Sequence, residues 1–135
     1  MTTAPTRGLL DTSVFIASET GRPLDEASLP DESAISPITV AELHVGVLAA
    51  TDVDIRARRL ATLEAVTDIE TLPIDNAVAA VWALLRVHLA QAERRVNVND
   101  LWIAATAVAH DLPVVTQDDD FGLLEGAAGL EVVRA

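Results

Sequence analysis

Cysteine, lysine and tyrosine are all absent from the 135 residues, methionine occurs once, and aromatic residues make up 3%. Without cysteine there is no disulfide scaffold, no thiolate zinc site and no thiol nucleophile. The expected compartment is a reducing one, the cytoplasm. Without lysine there is no Schiff-base chemistry and no phosphate cradle of the Walker type. Scarce aromatics leave few platforms on which unpaired bases could stack. Long apolar runs are also missing: Ala77–Leu85 stops at Arg86, far short of the ~20 residues that span a bilayer. No membrane association is expected. The stretch Gly8–Ala17 contains Asp11 and lacks an Ala-x-Ala-like cleavage site, so it reads as part of the fold and not as a secretion signal.

What is present is acid and hydrocarbon. Half of the residues are hydrophobic, and 21 Asp and Glu face 9 basic residues, all arginine, for a net charge of -12. The length suits one domain, expected to cover residues 1–135. The charge argues against a simple phosphate-tracking DNA binder, whose affinity comes from positive charge.

Short apolar runs alternate with helical patterns. Gly8-Leu9-Leu10 reads as a buried strand, followed by a helix from Thr12/Ser13. Glu19 to Ser33, with Gly21, Pro23 and Pro30, reads as an exposed loop with at most a helical turn. Ala34-Ile35-Ser36 predicts a second strand, and Thr39 opens a helix with Val40, Leu43 and Val47 at helical spacing. Asp52–Val66 predicts a third helix with Ile55, Leu60 and Leu63 inward, and Ile69–Leu72 a strand. From Asp75 to about Glu93, Val78, Val81, Trp82, Leu85 and Leu89 recur every three or four residues. Asn99-Asp100 begins a helix apolar almost all round, hence deeply buried. Leu112–Thr116 predicts a strand, Asp118–Leu124 a short helix, and Leu130–Val133 an edge strand. Strands alternating with helices imply an α/β fold, a three-layer α/β/α domain around a central parallel sheet.

Four acids occupy one kind of position. Asp11 follows a strand, Glu42 lies early in the helix after the second strand, Asp100 opens the buried helix, and Asp118 lies just past the strand ending at Thr116. In a parallel sheet these positions meet at one edge, where ligands bind. Each acid also has a local explanation. Thr39 and Glu42 fit a capping box, Asp11 fits a helix cap, and Asp100 and Asp118 fit dipole-favoured helix starts. Together they conflict, because two carboxylates ~5 Å apart repel by roughly 3 kcal/mol at an effective dielectric of ~20. Such a cluster holds cations or takes up protons. An all-oxygen set suits Mg²⁺ or Mn²⁺, and hard cations held by carboxylates cleave phosphodiesters.

The runs Leu9-Leu10-Asp11-Thr12-Ser13-Val14, Ser36-Pro37-Ile38-Thr39-Val40-Ala41-Glu42-Leu43, Asn99-Asp100-Leu101-Trp102-Ile103-Ala104-Ala105-Thr106-Ala107 and Val115-Thr116-Gln117-Asp118-Asp119-Asp120-Phe121 resemble those of the PIN-domain ribonucleases. More narrowly, the chain is similar to the VapC toxins of bacterial toxin–antitoxin pairs. The resemblance implies a PIN-like fold in which Asp11, Glu42, Asp100 and Asp118 form an acidic quartet, with Asp11 and Asp100 the most direct ligands of Mg²⁺ or Mn²⁺. It places Thr12 and Thr116 beside the site, and makes Asp120, before Phe121, a second candidate for the fourth acid. It further implies an endoribonuclease acting on RNA of the tRNA or ribosomal RNA class. The same resemblance implies a homodimer, held in check by a small cognate antitoxin that inserts a basic side chain among the acids.

Arg94 and Arg95, with Arg86 nearby, form a candidate RNA-guiding patch in an otherwise acidic chain. Trp82 and Trp102 lie in strongly apolar helices and read as core or dimer contacts. His44 and His110 read as partly buried helix residues and His88 as a surface one. Two other functions compete. A phosphoacceptor or phosphatase reading is weakened by the missing lysine and by the lack of an acid two residues beyond Asp11. A non-catalytic acidic α/β domain binding a basic protein is the remaining alternative.

Overall fold

The computed structural model describes residues 4–135. Strands β1 (Arg7–Leu10), β2 (Glu32–Ile35), β3 (Glu70–Thr71), β4 (Val114–Thr116) and β5 (Val132–Arg134) form one sheet in the order β3-β2-β1-β4-β5. Every neighbouring pair is parallel. Helices α1 (Thr12–Thr20), α2 (Pro37–Ala49), α3 (Val53–Ala65), α4 (Asn76–Gln91) and α5 (Val98–Ala109) cover it.

The strand residues alternate between two cores, which is what makes three layers. Leu9, Ala34 and Val114 pack with Val78, Leu85, Leu89 and Ile103 of α4 and α5. Their neighbours Leu10, Ile35 and Val115 point the other way, onto Val14, Leu43 and Leu63 of α1, α2 and α3. Both sheet faces are therefore buried, and the strands read as continuous apolar runs rather than alternating ones. From β1 the chain builds outward to β2 and β3, then returns to add β4 and β5 on the other side. The carboxyl ends of β1 and β4 flank that reversal, where parallel sheets leave a crevice.

Several boundaries differ from the sequence expectation for local reasons. Ser36 is not the end of a strand but the cap of α2: its hydroxyl accepts from the Ile38 N–H at 3.1 Å, and Pro37 takes the first helical position. The helix thus starts two residues before Thr39, and no Thr39–Glu42 capping box forms. Strand β3 is only two residues long. The segment expected to be a helix from Asp118 is a 3-10 helix over Asp120–Leu124. Ile55 and Leu60, expected inward, are 39% and 42% exposed, and only Leu63 of that trio is buried. The reason is that α3 packs mainly on α2 and α1, outside the sheet. His44 is exposed, not partly buried. His110 caps the end of α5 and is half-buried. Trp82 and Trp102 stack on one another across α4 and α5, with ring centroids 5.0 Å apart. Among the described residues no helix is long and apolar enough to cross a membrane.

Candidate metal centre

Asp11 sits where β1 becomes α1. Its backbone N–H donates to the Val115 carbonyl of β4 at 2.9 Å, and its side chain caps α1. The residue is only 2% exposed. Three donors reach the same carboxylate oxygen, Oδ2: the Ser13 hydroxyl at 2.6 Å, the Thr116 hydroxyl at 3.0 Å and the Ser13 N–H at 3.4 Å. The proton count is closed, because each hydroxyl oxygen is itself occupied by a backbone donor. The Gln117 N–H donates to Ser13 Oγ and the Asp118 N–H to Thr116 Oγ1, both at 3.0 Å. Both hydroxyl protons then go to Asp11, and the 3.2 Å approach of Ser13 to Thr116 carries none. Burial pushes the Asp11 carboxyl above its usual range, and these hydrogen bonds oppose the shift. With Oδ2 saturated, Oδ1 is the oxygen with capacity for a ligand.

Glu42 is held from α1. The Thr12 hydroxyl donates to its Oε1 at 2.8 Å and lies 3.0 Å from the buried Thr39 hydroxyl. Asp100 projects from the first turn of α5. Its carboxyl is pushed up to about 7, first by burial and then by the charges of Asp11, Asp120, Glu42 and Asp118. Asp118 is raised too, by burial and by Asp11 and Asp120, while Arg22 and Arg134 pull it down.

Asp11, Glu42, Asp100 and Asp118 line one crevice of about 150 Å³, together with Thr12, Ser13, Ile16 and Arg22. Four elements remote in the chain thus meet at the carboxyl edge of the sheet. Asp118, and not Asp120, reaches the crevice; Asp120 is exposed and acts on it through charge. Asp119 is exposed and paired with Arg134. Thr116 belongs to the site through Asp11 rather than by lining it. Arg94 and Arg95 do not join the acids: with Arg86 they line a separate cavity.

Two participants escaped the sequence reading. Ser13 follows Asp11 by two residues, the spacing at which a helix-start hydroxyl can reach back to its cap. Among the described residues, Arg22 is the only cation lining the crevice. It gets there because Gly21 adopts φ 76 and ends α1, with the Arg22 N–H donating to the Ala17 carbonyl at 2.9 Å.

The donor set suits a hard divalent cation: all oxygen, negatively charged, and mutually repelling. Among the described residues no three acid or histidine side chains form a ready-made cage. Mg²⁺ needs no such cage, since it keeps several waters and binds through one or two carboxylates.

This fold and this acid edge define a class, and comparison with known proteins gives it a name. The PIN domain pattern matches residues 8–126. Ribonuclease VapC5 of Mycobacterium tuberculosis is 62% identical over 99% of this chain and 99% of its own length. Ribonuclease VapC4 of the same organism is 45% identical, covering 87% of this chain and 91% of its own. Among solved structures, VapBC-5 from Mycobacterium tuberculosis, described as a member of the VapBC family of toxin–antitoxin systems, superposes with a TM-score of 0.91 at 60% identity, over 97% of this chain and 100% of that one. The chain belongs to the PIN-domain family, in its VapC branch.

Proposed function

We propose that this chain is the toxin of a VapBC-type pair and a Mg²⁺- or Mn²⁺-dependent endoribonuclease. One observation carries the reading: four carboxylates from separate parts of the chain line one crevice, where burial, and then the charges of Asp11, Asp120, Glu42 and Asp118, push Asp100 to about 7. Ionised acids crowded in this way call for a cation. The ribonuclease names of relatives 62% and 45% identical support the substrate class.

Asp11 and Asp100 would hold the ion most directly, with Glu42 and Asp118 completing the acidic set. When bound there, a divalent ion would supply Lewis-acid polarisation of the phosphate and of the attacking water. The rest of the work falls to the chain. The Ser13 and Thr116 hydroxyls oppose the burial penalty on Asp11 and aim its carboxylate, and the Thr12 hydroxyl holds Glu42 in place. Arg22, facing the acids, takes a non-bridging oxygen of the scissile phosphodiester. Water adds at phosphorus, the P–O bond to one ribose breaks, and the departing oxygen leaves with a proton. The substrate is RNA of the tRNA or ribosomal RNA class. Residues 1–135 act as one PIN-like unit, as a homodimer in the cytoplasm, restrained by a small cognate antitoxin.

The test is to incubate the purified chain with total RNA in Mg²⁺, Mn²⁺ or EDTA and map the ends. Discrete new ends in divalent metal, and none in EDTA, are expected. Absence of both cleavage and Mn²⁺ binding would overturn the proposal in favour of an acidic domain that only binds a basic protein.

A further inference from the structure

The nine arginines divide into two groups by what holds them. Arg7 pairs with Glu32 and Glu70, Arg134 pairs with Asp119, and Arg56 and Arg59 donate to the Ala50 and Gly46 carbonyls. Among the described residues the other five guanidiniums make no such contact, in a chain that carries 21 acids. Three of the five, Arg86, Arg94 and Arg95, line a single cavity of about 690 Å³ between the end of α4 and the start of α5.

Their placement is built into the backbone. Helix α4 ends with Glu93 at φ 54, the Arg94 N–H donating to the Leu89 carbonyl at 2.9 Å and the Glu93 N–H to the Ala90 carbonyl at 3.2 Å. This paired closure turns the chain sharply and sets Arg94 and Arg95 beside Arg86, two turns back on α4. Trp82 lines the same cavity, and its buried indole N–H has no acceptor in the described chain. The cavity and the acid crevice draw on the same helix start. Val98 and Leu101 line the former and Asp100 the latter, so the two share the first turn of α5.

We propose that this arginine-lined cavity binds backbone phosphates of the RNA strand whose neighbouring phosphodiester enters the acid crevice. The assignment rests on the ribonuclease reading for its substrate. Its logic is electrostatic: a chain of net charge -12 repels RNA at long range, so unpaired guanidiniums beside the crevice must supply the local attraction.

The experiment measures binding of an uncleavable 2′-O-methyl single-stranded RNA to the intact chain in EDTA, from about 50 to 200 mM salt. The combined variant Arg86→Gln, Arg94→Gln, Arg95→Gln should bind at least about tenfold more weakly at the low-salt end. Its slope of log affinity against log salt should be shallower by about 2, since each phosphate contact on a single strand contributes ~0.7. The corresponding Lys variant should keep most of the slope, and matched melting temperatures show that both variants fold. No binding by the wild type, or equal affinity and slope in the Gln variant, overturns the proposal. So does an unchanged RNA affinity accompanied by lost binding of poly-glutamate, which would mark an acidic protein partner. The two readings fail separately: wild-type cleavage with unchanged binding by the Gln variant removes the cavity and leaves the ribonuclease. A wild type that binds the probe but cuts no RNA in any metal removes the ribonuclease.

Discussion

Two concentrations of like charge flank the first turn of α5, and they are built in opposite ways. The acid crevice is organised from inside: Asp11 is buried, three donors fix one of its oxygens, and Asp100 holds its proton up to about 7. The arginine cavity is organised only by the backbone turn at Glu93, and its guanidiniums are exposed. Buried like charges destabilise one another and call for a counter-ion held at close range. Exposed like charges are screened by water and can wait for a ligand at little cost. The difference separates a site built for geometry from one suited to capture.

The sharpest way to break this contrast is to remove a crevice charge. Asp11→Asn or Asp100→Asn should reduce RNA cleavage by well over ~100-fold, more than the ~10–100-fold typical of groups that merely support a metal ligand. Initial rates on RNA and calorimetric titration with Mn²⁺ alone check this, and both signals should fall together. Next in size is Thr116→Val, which deletes one donor to Asp11 while keeping the buried volume. A loss of about 10–100-fold in rate is expected, against a melting temperature changed by only a few degrees.

The third prediction concerns the metal-free chain. Asp100 has a folded pKa of about 7 against the usual 3.8, so between these values the folded state binds more protons than the unfolded one. Stability therefore falls as pH rises from about 4 to about 7. Adding Mg²⁺ or Mn²⁺ should restore it near neutrality, and Asp100→Asn should flatten the pH profile. Melting curves in EDTA read the effect, at about 3–5 °C per kcal/mol for a chain of this length. The smallest effect belongs to the other region: Glu93→Gly relieves a left-handed backbone and should stabilise by about 1 kcal/mol, with the Mn²⁺ affinity unchanged.

Much of this was legible in residue order, and the exceptions share a cause. Helix caps at Asp11, Asp52 and Asp75 and the all-round apolar α5 follow from neighbours a few positions apart, so the pattern was readable. The alternation Leu9/Leu10 and Val114/Val115 marks strands buried on both faces. The misreading of Ile55 and Leu60 arose because helical spacing tells which residues share a face, not whether that face meets a sheet or merely one neighbouring helix. Glu42 looked like half of a capping box because its true donor, Thr12, lies 30 positions away. Arg22 carried no pattern at all; its place at the crevice depends on where α1 ends relative to Asp118.

By itself the sequence determined the alternation of strand and helix and the kind of position each acid would occupy. These depend on local periodicity and on caps formed within one turn. Only the tertiary structure decided that Asp118 rather than Asp120 lines the crevice, that Ser13 and Thr116 spend their protons on Asp11, and that Arg86, Arg94 and Arg95 face a cavity of their own. Those outcomes turn on the register of parallel strands and the exit angles of helices, which fix distances between atoms that no stretch of neighbouring residues contains.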